Sequence, residues 1–190
     1  MTGFELFGRE DYGNALRLCG LALEAAVDPD LDRPLSRRFL DAAAWFGEAV
    51  REESAAARVV KYVTALERML MTDEAADITR LVSERVAAVC FEMPSRESFE
   101  EWRSSTQRAY ALRSKLVHGS LSPTSPEILG ELGMVASVSS MGVQGGLALL
   151  GEAGLRAEGV STRTLADFYN RTVAHCRAMF ASGAGDDSPK

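Results

Sequence analysis

The apolar residues of this chain recur with a helical period almost from end to end. Stretches rich in Ala, Leu, Glu and Arg are cut by proline and glycine, and few segments alternate with the period of two that a strand needs. That pattern restricts the fold to an all-α class. The periodicity predicts a first helix over about 12–26, stopped where Pro29 cannot continue it. Pro34 suits the first turn of a second helix, with Phe39, Ala43, Phe46 and Val50 as its apolar positions. A third helix carries Val59, Val63, Leu66 and Leu70 and ends near Met71. Thr72 or Asp73 can cap a fourth, which carries Ile78, Leu81, Val82, Val86 and Val89. Pro94 and Ser95 break the chain. A fifth helix is expected over about 97–118, with Trp102, Ala109, Leu112 and Leu116 on one stripe that Tyr110 and Val117 widen. The last is expected over about 162–180, along Leu165, Phe168, Tyr169, Val173, Cys176 and Phe180.

Between the last two lies the least legible stretch, 124–160. Its Gly142-Val-Gln-Gly145-Gly146 run has no Lys-Ser/Thr partner and so is not a phosphate-binding loop; it reads as a kink or turn. The expectation is a helical extension over 124–181, and a disordered tail over 182–190. A chain of 190 residues, 46% of them hydrophobic, is one domain with enough apolar material for a core of its own.

Three cysteines, Cys19, Cys90 and Cys176, are widely spaced with no CxxC, which reads as buried thiols rather than a zinc site or a disulfide. The first residues carry charges and no apolar signal-peptide core, and no uninterrupted apolar run approaches the roughly 20 residues of a membrane span. A cytoplasmic protein without membrane contact is expected, and no cofactor is implied.

The net charge is -6. An acidic chain is a poor general binder of nucleic acid, so any phosphate site must be local. One stretch offers it. Between Trp102 and Ser120 there is no acidic residue, while Arg103, Arg108, Arg113, Lys115 and His118 all occur. His118 is one of only two histidines and precedes the helix-stopping Gly119. Histidine titrates near neutrality and suits general acid or base work; arginine suits charge developing on a phosphate. Positions five apart on a helix differ by about 140° around the axis and about 7.5 Å along it, so one chain does not set Arg113 and His118 side by side. The second histidine, His175, adjoins Cys176, but adjacent helix positions point about 100° apart; it reads as a core or dimer-edge residue.

Two segments carry a resemblance. Ala65-Leu-Glu67-Arg-Met-Leu70 on one helix and Tyr110-Ala-Leu-Arg113-Ser-Lys-Leu-Val-His118-Gly119 at the end of a later one resemble the HEPN superfamily, and within it the Apea-like group. Its members show an "ALE-x-L-L" helix about forty residues before a "Y-x-x-R-S-x-x-V-H-G" helix end. The likeness is good over about 35–119. It implies a bundle of four or five core helices that forms a homodimer, with the Arg-x4-His elements of two subunits meeting across the two-fold axis. It further implies metal-independent RNA cleavage, with Arg113 and His118 catalytic, Ser114, Glu67, Tyr110 and Lys115 supporting them, and Arg103 and Arg108 on RNA. The alternative is a non-catalytic HEPN dimer that binds a protein partner or a nucleotide. Either fits a toxin–antitoxin or phage-defence setting, with an antitoxin or defence component as protein partner and no role for DNA.

Overall fold

The computed structural model describes residues 10–90 and 96–183, and within them every regular element is a helix. They are α1 (Glu10–Val27), α2 (Pro34–Arg51), α3 (Ala55–Leu70), α4 (Ile78–Val89), α5 (Arg96–Val117), α6 (Pro126–Leu155) and α7 (Thr162–Gly183). The all-α expectation holds. Pro94 and Ser95 lie outside the described residues, as does the tail beyond Gly183.

α2 opens with Pro34 at its first turn, where a missing N–H costs nothing. α3 is capped by Ser54, whose hydroxyl accepts the Ala57 N–H at 3.3 Å. Val59, Val63, Leu66 and Leu70 are all fully buried, as the periodicity requires. In α2, by contrast, Val50 is exposed and Ala42 and Ala49 are buried in its place. α4 begins later than its sequence signals. Thr72 and Asp73 do not cap it, because their hydroxyl and carboxylate are engaged elsewhere: Thr72 donates to Glu74, and Asp73 accepts from Thr162 at 2.5 Å. The helix starts after Asp77, which holds a left-handed φ of 56°. In α5, Ala109, Tyr110 and Leu112 are buried, but Val117 is exposed and does not widen the stripe.

The stretch 124–160 is the axis of the molecule rather than an extension. α6 runs for 30 residues and packs against α1, α2, α3, α4 and α5. Its Gly-rich run is helical throughout, and the kink falls later, at Gly151 (φ 57°, ψ -170°). The glycines are there for proximity. A Cβ at Gly145 would lie 2.5 Å from the Val89 carbonyl oxygen of α4, and one at Gly142 would lie 2.4 Å from Leu66 of α3. Buried hydroxyls fasten this helix to its neighbours: Ser139 donates to the Tyr62 carbonyl at 2.9 Å, and Ser36 of α2 to the Leu155 carbonyl at 2.8 Å. Among the described residues, α6 is also the one helix long and apolar enough to cross a membrane, yet its inward face lines the main core.

α7 closes over α4. A smaller core of Ala87, Ala88, Phe99, Val173 and Cys176 joins α4, α5 and α7. Cys90 and Cys176 are buried, whereas Cys19 is only half-buried. Burial pushes the Cys19 and Cys176 thiols above the usual range.

Candidate functional site

The C-terminal end of α5 is built by Gly119. Its φ of 72° is readily available only to glycine and closes a Schellman turn. The Ser120 N–H reaches back to the Lys115 carbonyl at 2.9 Å, and the Gly119 N–H to that of Leu116 at 3.2 Å. His118, the residue before the glycine, donates its own N–H to the Ser114 carbonyl at 3.0 Å. The last carbonyls of α5 are thus satisfied by backbone, and His118 is not needed as a cap. Its side chain is exposed and makes no hydrogen bond or ion pair with any other described residue.

Arg113 sits a turn and a half earlier and is held from the side by α3. Glu67 is the anchor. One of its oxygens accepts the Tyr110 hydroxyl in a short hydrogen bond, and the other lies 3.7 Å from Arg113 Nη2. The Arg113 guanidinium also lies 5.9 Å from the centroid of the Tyr110 ring. Tyr110 is buried. That burial, reinforced by the Glu67 carboxylate, pushes its phenol far above the ordinary value, while Arg113 opposes the shift. The Arg113 Nε is buried without a hydrogen-bond partner among the described residues, although the side chain keeps 28% of its surface in solvent. At 3.7 Å the Glu67–Arg113 contact is an ion pair without a hydrogen bond, and the guanidinium retains donors for another oxygen.

The remaining cations are placed differently from a free basic patch. Arg108 makes two contacts to the carboxylate of Glu131 on α6, at 2.6 and 2.7 Å. Lys115 meets Glu127 in the first turn of α6 at 2.9 Å, and Arg103 meets Glu100 one turn back on its own helix at 2.5 Å. The positive stretch in sequence is therefore compensated in space, mostly from α6. Glu127 and Glu131 escaped the sequence reading; their only signal is an acidic start to a helix that reads poorly as one. Ser114 is half-buried and contributes its carbonyl to the turn. His175 is exposed on α7 and is not a core histidine.

Among the described residues, no three His, Cys, Asp or Glu side chains converge as a metal ion would need. No protein-family model, curated protein or solved structure matches the chain.

Proposed function

We propose that this protein is a cytoplasmic, metal-independent endoribonuclease of the HEPN type, acting as a homodimer whose two α5 ends form one cleft. The observation that carries the reading is the state of His118. It is exposed, it is relieved of any capping duty by Gly119, and it follows an arginine that is positioned by Glu67 and Tyr110 and still has donors to offer. In the dimer, one imidazole takes the proton of an RNA 2′-hydroxyl as its oxygen attacks phosphorus. The second, protonated, delivers a proton to the 5′-oxygen as the P–O5′ bond breaks. The two Arg113 side chains stabilise the charge gathering on the phosphoryl oxygens. The products are a 2′,3′-cyclic phosphate and a 5′-hydroxyl. DNA, with no 2′-hydroxyl, is not a substrate.

The pairing of Arg103, Arg108 and Lys115 with carboxylates favours a second reading, a non-catalytic HEPN dimer that binds a protein partner or nucleotide in a toxin–antitoxin or defence system. With these charges compensated, little basic surface is left to gather RNA. Incubating the purified protein with single-stranded RNA in EDTA separates the two. The nuclease reading expects cleavage with cyclic-phosphate ends, falling by about 10²-fold or more in both Arg113→Ala and His118→Ala. Equal background in wild type and both variants leaves the scaffold.

A further inference from the structure

α1 has two apolar faces, and the bundle covers one of them. Leu18, Leu21, Ala22 and Ala25 are buried toward α2 and α6. On the opposite side Gly13, Leu16, Gly20, Leu23 and Val27 recur at spacings of three, four, three and four, which places them within about 80° of the helix circumference. All five are exposed: Leu16 and Leu23 keep 53% of their surface in solvent and Val27 keeps 85%. Ala15, Cys19 and Ala26 continue the uncharged surface on one flank. A helix apolar on both sides is normally buried on both. Among the described residues, neither glycine has a neighbour on its outer side, where an added Cβ would meet no atom within 4 Å.

The charges flanking this stripe point to its occupant. Arg17 and Glu24 lie on the same edge, seven residues apart and about 20° from each other around the axis. Each also has a partner within the chain, Glu152 for Arg17 and Arg33 for Glu24, but both side chains remain close to half-exposed. A two-fold axis through Gly20 sets each Arg17 beside the other copy's Glu24. The same operation sets Gly13, with no side chain, opposite Val27, and brings Gly20 against Gly20 with Leu16 and Leu23 packed around the close approach. The stripe is therefore complementary to its own antiparallel copy in both size and charge.

We propose that the outer face of α1 is a homodimer seam, formed with α1 of a second copy running antiparallel across Gly20. This seam is separate from the proposed ribonuclease cleft. Arg17 pairs with Glu152 at the end of α6, whereas Lys115, beside His118, pairs with Glu127 at its start. The two regions lie roughly 35 Å apart along that helix, so the α1 face and the end of α5 are separate surfaces.

The test is the assembly state of the full chain, measured by light scattering or sedimentation at tens of micromolar. Leu16→Glu with Leu23→Glu alters two half-exposed positions and leaves the helical circular dichroism unchanged. It should weaken association by about a hundredfold or more. The assembly then halves, from dimer to monomer, or from tetramer to dimer if the α5 ends also pair. In a Cys19→Ser background, Gly20→Cys should form an interchain disulfide on mild oxidation, with Cys90 and Cys176 shielded by burial. A monomeric wild type, an assembly the double glutamate variant does not alter, or no cross-link at position 20 would each overturn the seam. An assembly that instead collapses on Val117→Asp, at the exposed end of α5, assigns the contact to the ribonuclease cleft and removes the α1 seam. RNA cleavage in EDTA is scored separately, so either idea can fail without the other.

Discussion

Glu67 divides its carboxylate between Tyr110 and Arg113, and that division controls both side chains. The phenol is buried, and its hydroxyl donates to the Glu67 carboxylate. Tyr110→Phe should therefore cost about 1 kcal/mol of stability at neutral pH, read from urea denaturation. The variant should also change the alkaline limb. The Tyr110 phenol titrates higher in the folded chain than unfolded, first through burial and then through Glu67. Its contribution is whole below about pH 10, the unfolded value, and is lost as pH rises beyond it. Tyr169, which burial pushes up to about 12, acts in the same direction. The urea midpoint of Tyr110→Phe should fall less steeply than wild type above about pH 10; an unchanged slope would show that the phenol is not held neutral by the fold. Much of this site is legible in sequence, because Ala65-Leu-Glu67 and Tyr110 through Gly119 form two short local patterns. The compensation of Arg108 and Lys115 is not legible. It depends on where α6 lies, and no local pattern in α5 encodes the position of another helix.

α6 shows why an element can be central and yet obscure. Glycine and serine are weak helix formers, so 137–146 reads as a turn when judged by propensity alone. The structure requires small residues there because α3 and α4 approach the α6 backbone closely. Helix propensity and packing should then pull the same substitution in opposite directions at two sites of this one helix. At Gly133 an added Cβ meets none of the described residues within 4 Å, and Gly133→Ala should stabilise the protein by about 0.5–1 kcal/mol. At Gly145 the added Cβ meets the Val89 carbonyl oxygen at 2.5 Å and its carbon at 2.9 Å, and backbone cannot rotate aside as a side chain can. Gly145→Ala should destabilise by about 1–3 kcal/mol despite the better propensity. Thermal melts of the two variants check this, and equal shifts would mean that close approach to α4 does not require glycine at position 145. α3 lay open to the sequence for the converse reason: its Ala, Leu, Arg, Lys, Glu and Met residues are good helix formers, and the burial of Val59, Val63, Leu66 and Leu70 follows the same helical period.

At the scale of the molecule, one arginine ties together parts that are distant in sequence. Arg85 is 1% exposed and donates to the Leu70 carbonyl at the end of α3 (2.8 Å), to Glu74 in the α3–α4 connection (2.5 Å) and to Asn170 of α7 (3.2 Å). Its guanidinium also lies 5.2 Å from the Tyr169 ring centroid. The sequence held a trace of this, since an arginine three residues after Val82 and four before Val89 sits on the apolar stripe of α4. A charge so placed needs a carboxylate, and its partner lies in a loop with no periodicity to read. Burial by itself would raise the Glu74 pKa, but hydrogen bonds from Arg85 and Thr72 outweigh it and bring the carboxyl to about 2. Because this value is depressed relative to the unfolded chain, the stabilisation is present above about pH 4.5 and is lost as pH falls toward 2. Glu74→Gln removes the charge while keeping the shape and leaves Arg85 buried against neutral acceptors. It should cost on the order of 2 kcal/mol at pH 7 and progressively less in acid, so that wild type and variant converge near pH 2. Urea midpoints from pH 7 to pH 2 measure this. A difference that stays constant across the range would mean that the loop is held by shape alone and that the charge on Glu74 plays no part in fastening α3, α4 and α7.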